Sequence, residues 1–113
     1  MASGKKAVLI VWAYEKVDRD GWLRILVESA RNNNKVSSCN SVTNFEQARL
    51  QFIVGRKLYD MVIFVNTDQH SIPSDLDALL NKKKVKKAFI RVHGEPNSGE
   101  ARAHIKDCLR DPS

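Results

Sequence analysis

A chain of 113 residues has room for one core, and a 42% hydrophobic content is enough to pack it. The longest apolar run, residues 7–13, falls far short of the roughly 20 residues needed to cross a bilayer, so composition excludes a helical membrane protein. The formal net charge of +6 favours an anionic partner such as nucleic acid, a phospholipid surface or an acidic protein, without choosing among them.

From Lys6 to Ala13, Val8, Leu9, Ile10, Val11 and Trp12 follow without a break, the pattern of a strand buried on both faces. Asp18 and Asp20 then lead into Trp22, Ile25, Leu26 and Ala30, a spacing that predicts one apolar helical stripe. Asn32, Asn33 and Asn34 end that helix. Lys35 to Val42 reads as a second, edge-like strand. Thr43 and Glu46 have capping-box spacing, and Phe45, Ala48, Phe52 and Ile53 predict a helix that Gly55 stops.

Leu58 to Asn66 contains Met61, Val62, Ile63, Phe64 and Val65 and predicts a third, fully buried strand to pair with the first. After the polar stretch with Pro73, Leu76, Leu79 and Leu80 mark a short helix starting near Ser74 or Asp75. Lys82 to Lys87 reads as a basic turn, and Ala88 to Val92 as a fourth strand. His93, Gly94, Glu95, Pro96 and Asn97 lead to a last helix with Ala101, Ile105, Cys108 and Leu109 inward.

Strands alternating with helices across short linkers require right-handed crossovers and hence parallel strands. The expected fold is α/β and three-layered, a flavodoxin-like or Rossmann-like open parallel sheet of order 2-1-3-4 with helices on both faces. Residues 5–110 form one expected domain, with 1–4 and 111–113 as short tails. The two cysteines, Cys39 and Cys108, lack CxxC spacing and read as free thiols of a reducing compartment. Nothing near the start reads as a secretory leader. The expected location is intracellular, in cytoplasm or nucleus.

In an open parallel sheet, ligands bind beyond the carboxyl ends of the strands where the order reverses. Loops there would carry Glu15, Asp18, Asp20, Asn66, Asp68 and His70, with His93 and Glu95 at the same end. Such carboxylates would suit Mg²⁺, a hard cation that takes oxygen ligands. Acids at a helix start are equally explained by the helix dipole, and neither histidine sits in a metal-ligand spacing. No cofactor is otherwise implied: GxGxxG, GxxxxGK[ST] and GxSxG are all absent, which weighs against an enzyme.

At the opposite, amino edge fall Arg31, Lys35, Arg56, Lys57, Lys82, Lys83, Lys84, Lys86, Lys87, Lys106 and Arg110. Cations favour helix C-termini, but the lysines of 82–87 exceed what one dipole requires. They form either a solvated turn or a patch for an anion such as a phosphate backbone. The run lacks interleaved aromatics for base stacking.

The run Val8 to Glu15, then Asn44 to Ala48, then Tyr59 to Asn66 resembles the receiver domain of two-component signalling. With Asp20 and Gly21 added, it is similar to the degenerate receiver-like domain at the front of a high-affinity cAMP phosphodiesterase family. The likeness spans about residues 6 to 70. It implies a flavodoxin-like fold and a regulatory role. Trp12 and Ala13 stand where the receiver's acidic pair belongs, and Val65 where its phospho-acceptor belongs, with Asn66 beside it. An apolar side chain cannot accept a phosphoryl group and an amide is a poor nucleophile. The terminal lysine is replaced by the stretch Arg91 to Gly94, and one strand–helix unit is missing. The resemblance therefore implies a pseudo-receiver, a non-catalytic module that acts through protein–protein contacts, with its fourth strand open to a partner or a second copy. The alternatives are a small RNA- or DNA-associated domain using the lysine-rich pole, and a metal-dependent phosphotransfer domain.

Overall fold

The computed structural model describes residues 5–13, 18–55 and 58–110. The elements run β1 (Lys6–Val11), α1 (Arg19–Arg31), β2 (Val36–Val42), α2 (Phe45–Ile53), β3 (Met61–Val65), a 3-10 turn (Gln69–Ser71), α3 (Ser74–Lys82), β4 (Lys86–Ile90) and α4 (Ser98–Cys108). The strands form one parallel sheet of order β2-β1-β3-β4, as the alternating pattern requires. No helix among the described residues is long and apolar enough to cross a membrane.

The two continuous apolar strands lie side by side, Val8 against Met61 through Val11 against Phe64. Successive side chains point to opposite faces, so each strand feeds two cores. Val8, Ile10, Trp12, Met61, Ile63 and Val65 pack against Trp22, Leu26 and Ala30 of α1 and Ala101 and Ile105 of α4. Ala7, Leu9, Val11, Val62 and Phe64 pack against Ala48 and Phe52 of α2 and Leu76 and Leu80 of α3. Helices therefore cover both faces, α1 with α4 and α2 with α3.

Four local readings shift. The fourth strand is Lys86–Ile90 rather than residues 88–92, because its register is set by β3, Met61 opposite Lys86 and Val65 opposite Ile90. An edge strand is half solvated, so it tolerates Lys86 and Lys87 where apolar patterning gives no signal. The third strand starts at Met61, not Leu58, and Leu58 stands 82% exposed. Asn44 rather than Thr43 caps α2: its side chain accepts from Gln47 N at 2.7 Å, while the Gln47 side chain accepts from Thr43 N at 3.3 Å. The cap is displaced by one residue, and the amide of Gln47 reaches back to the N–H before the cap. Asp18, at φ 65°, precedes α1 without a side-chain capping bond.

At the top of α1 the chain is tight. A Cβ on Gly21 would lie 2.8 Å from Pro96 Cγ, so only glycine lets the β4–α4 loop rest on the helix. Trp22 Nε1 donates to Gly94 O at 2.9 Å and fastens that loop.

Candidate functional site

The carboxyl edge of the sheet is held together by Asn66. This residue follows β3 at φ 54°, a left-handed conformation that asparagine tolerates. Its N–H donates to Ile90 O at 2.8 Å and its Oδ1 accepts from Val92 N at 2.9 Å, clipping β3 to the chain leaving β4. Its Nδ2 is buried with no partner among the described residues. Asn66 thus has a structural task, joining the ends of β3 and β4.

The acids expected to share this edge are dispersed. Asp68 pairs with Arg91, and His70 lies exposed in the 3-10 turn. Asp20 is 96% exposed, 4.0 Å from Arg19 Nε. Asp18 instead joins His93 and Glu95, expected at the same end, in a cavity of about 350 Å³ lined also by Trp12, Trp22, Val92 and Gly94. Among the described residues no three of His, Cys, Asp and Glu converge closely enough to hold a metal ion. Glu15 lies outside the described residues.

The cavity walls are what the acid-centred reading missed. Trp12 ends the first apolar run, and its indole is 1% exposed with Nε1 unpartnered among the described residues. The signal was the placement of an indole where a receiver has carboxylates.

The basic pole is also redistributed. Lys82 ends α3, Lys83 caps it, Lys84 takes φ 58° in the turn, and Lys86 and Lys87 open β4. Adjacent strand residues face opposite sides, so these last two diverge. Lys87, half-buried, pairs with Asp77 of α3. Arg31 is committed as well, its Nε donating to Cys39 O at 3.1 Å, and Arg110 pairs with Asp107. Asp60, at the same edge, accepts from Ala7 N at 2.8 Å and extends the β1–β3 pairing. Lys82, Lys83, Lys84 and Lys86 remain exposed, with no ion pair among the described residues. Arg56 and Lys57 lie outside the described residues.

A second set of basic side chains sits on the other face. Lys35, Arg102 and Lys106 line a groove of about 780 Å³ between α1 and α4, with Glu28, Asn32, Asn33 and Asn34. Lys35 and Lys106 belong to the basic set expected at the amino edge, whereas Arg102, on the solvent side of α4, was not among it.

Neither cysteine is joined in a disulfide. Cys39 is buried in β2, and burial pushes the Cys108 thiol up to about 11, helped by the charge of Asp107. At neutral pH the Cys108 sulfur is protonated and a weak nucleophile.

Among the described residues the sheet ends at β4, which pairs with β3. Phe89 lies opposite Phe64 and stacks on it at 5.6 Å between ring centroids, yet remains 41% exposed. The edge thus presents an unpaired strand with an aromatic half out of its core. Comparison with protein-family models, with curated proteins and with solved structures finds no match to this chain.

Proposed function

We propose that this chain is a non-catalytic regulatory or assembly module of pseudo-receiver type, acting through protein–protein contacts at the outer edge of β4. The observation that carries the reading is the terminal position of β4 together with the half-exposed Phe89. An edge strand offers unpaired N–H and C=O groups to an added strand, and a nearby aromatic supplies desolvated area. The resemblance to receivers supports the same place, because the missing strand–helix unit of a receiver would lie there. The dispersal of Asp18, Asp20 and Asp68 supports a role without phosphotransfer. On this reading the partner is a second copy or another protein that adds a strand, inside the cell.

Size-exclusion chromatography with light scattering on the full chain and on Phe89→Lys tests the edge. Association at micromolar concentration that the variant abolishes supports it; a monomer that captures no strand-forming peptide removes it. Incubation with acetyl phosphate and Mg²⁺ tests the pseudo-receiver aspect, and a mass increase of one phosphoryl group would refute it.

A second reading, contact with RNA or DNA, is favoured by one observation: Lys82, Lys83, Lys84 and Lys86 are exposed and have no ion pair among the described residues, while Arg49, Lys87, Arg91 and Arg110 are paired. Oligonucleotide binding that weakens with salt and collapses when these four lysines become serine would establish it.

A further inference from the structure

Helix α2 is apolar on two sides. Ala48 and Phe52 turn inward to the sheet, while Leu50, Ile53 and Val54, at i, i+3 and i+4, form a stripe on the opposite side. Leu50 is 44%, Ile53 59% and Val54 71% exposed, and Leu58 beyond the helix is 82% exposed. Surface apolar residues scattered singly need no explanation, but four within nine positions at one helix end do. Leu58 also lines a cavity of about 330 Å³ with Phe52, Gly55, Tyr59, Asp60, Lys83 and Val85. The apolar stripe therefore meets the lysine pole at a concave seam. Asp60 is already engaged by Ala7 N, so Lys83 is the uncommitted charge there.

We infer that the end of α2 and the Leu58–Lys83 seam form a docking surface for an amphipathic segment of another protein whose apolar side chains are flanked by carboxylates. Charge decides the occupant. A second copy, itself carrying +6, would bring another set of these lysines to the same contact. A nucleic acid would find phosphate-binding lysines but no exposed aromatic in the patch on which to stack a base. An acidic amphipathic helix meets both halves of the surface, burying Leu or Phe against Leu50, Ile53, Val54 and Leu58 and placing carboxylates near Lys83 and Lys84. This surface is separate from the β4 edge, and the inference does not rest on that reading.

The test is selection of displayed random peptides on the immobilised full chain, followed by fluorescence anisotropy of the selected peptides. The expected peptides carry Leu, Ile, Phe or Trp at helical spacing among Asp and Glu. Their affinity should fall about tenfold or more in Ile53→Ser or Leu58→Ser, since central apolar anchors dominate such contacts. Lys83→Glu should weaken them about threefold, an effect that added salt reproduces. Both serine replacements are at exposed positions, so melting should stay unchanged. Phe89→Lys should leave peptide binding intact whatever it does to self-association. The inference is overturned if no such peptides are selected, if the selected ones are basic, or if binding survives both serine variants. It is equally overturned if Leu58→Ser dissociates a dimer, or if a short uridine oligonucleotide displaces the peptides.

Discussion

On the α1/α4 side of the sheet the apolar surface is closed by Trp22, Leu26, Ala101 and Ile105, whereas on the α2/α3 side it runs out to solvent through Leu50, Ile53, Val54, Leu58 and Phe89. The closing helices are longer, 13 and 11 residues against 9 and 9, and the loop between β4 and α4 is fastened down by Trp22 and Gly21. The open side instead uses polar links: Arg49 bridges Glu46 and Asp75, Lys87 holds Asp77, and Asn40 Nδ2 donates to Tyr59 OH at 2.9 Å. Exposed ion pairs contribute little stability. The closed side therefore keeps its apolar surface within the molecule, and the open side leaves apolar area to present to partners.

The comparison is broken most directly by removing core from the closed side. Leu26→Ala, at a fully buried position of α1, should cost about 2–5 kcal/mol in urea unfolding. Leu50→Ala on α2 should stay within about 0.5 kcal/mol. If the two losses were similar, the division of labour would be wrong.

A sharper probe uses the matched caps of the two layers. Asn44 Oδ1 accepts from Gln47 N at 2.7 Å at the start of α2, and Asn97 Oδ1 accepts from Glu100 N at 2.9 Å at the start of α4. Each Asn→Ala change should cost about 1 kcal/mol if the layers unfold as one unit. A loss from Asn97→Ala alone, with α2 protons exchanging faster after Asn44→Ala, would show that the open layer frays independently.

Acid should act on the open side. Hydrogen bonding from Arg49 holds Asp75, and from Lys87 holds Asp77, below the ordinary carboxylate value of 3.8. A lowered folded value means the contribution is full above pH 3.8 and lost as pH falls through the folded values beneath it. Stability measured from pH 6 downward should therefore stay flat until about 4 and then decline, and Asp77→Asn should flatten that decline. Being exposed, both groups should produce only a shallow slope.

The smallest expected effect is chemical. Cys108, on the closed side and with its thiol pushed up to about 11, should alkylate slowly at pH 7.5 and faster as pH approaches that value. Rapid labelling at neutral pH would show that the α1/α4 layer opens more readily than its packing implies.

Strands β1 and β3, their parallel pairing and the strand order were legible because uninterrupted runs such as Val8 to Trp12 can only be satisfied by a strand covered on both faces. Helices α1 and α4 were legible from their spacing. Strand β4 was displaced by two residues because its edge position, a tertiary property, lets lysines occupy a strand. The acids after β1 and β3 were read as one crevice, but side-chain direction and ion pairing send Asp68 to Arg91 and Asp18 to a cavity walled by two indoles.

By itself the sequence determined which segments must be buried and, through chain connectivity and handedness, how they stack. Only the tertiary structure decided which charges remain free and which apolar residues stay outside. Both depend on partners distant in the chain: Asp77 for Lys87, Cys39 O for Arg31, and no covering element for Leu58. Burial follows from local pattern, whereas pairing and exposure follow from what the fold brings alongside.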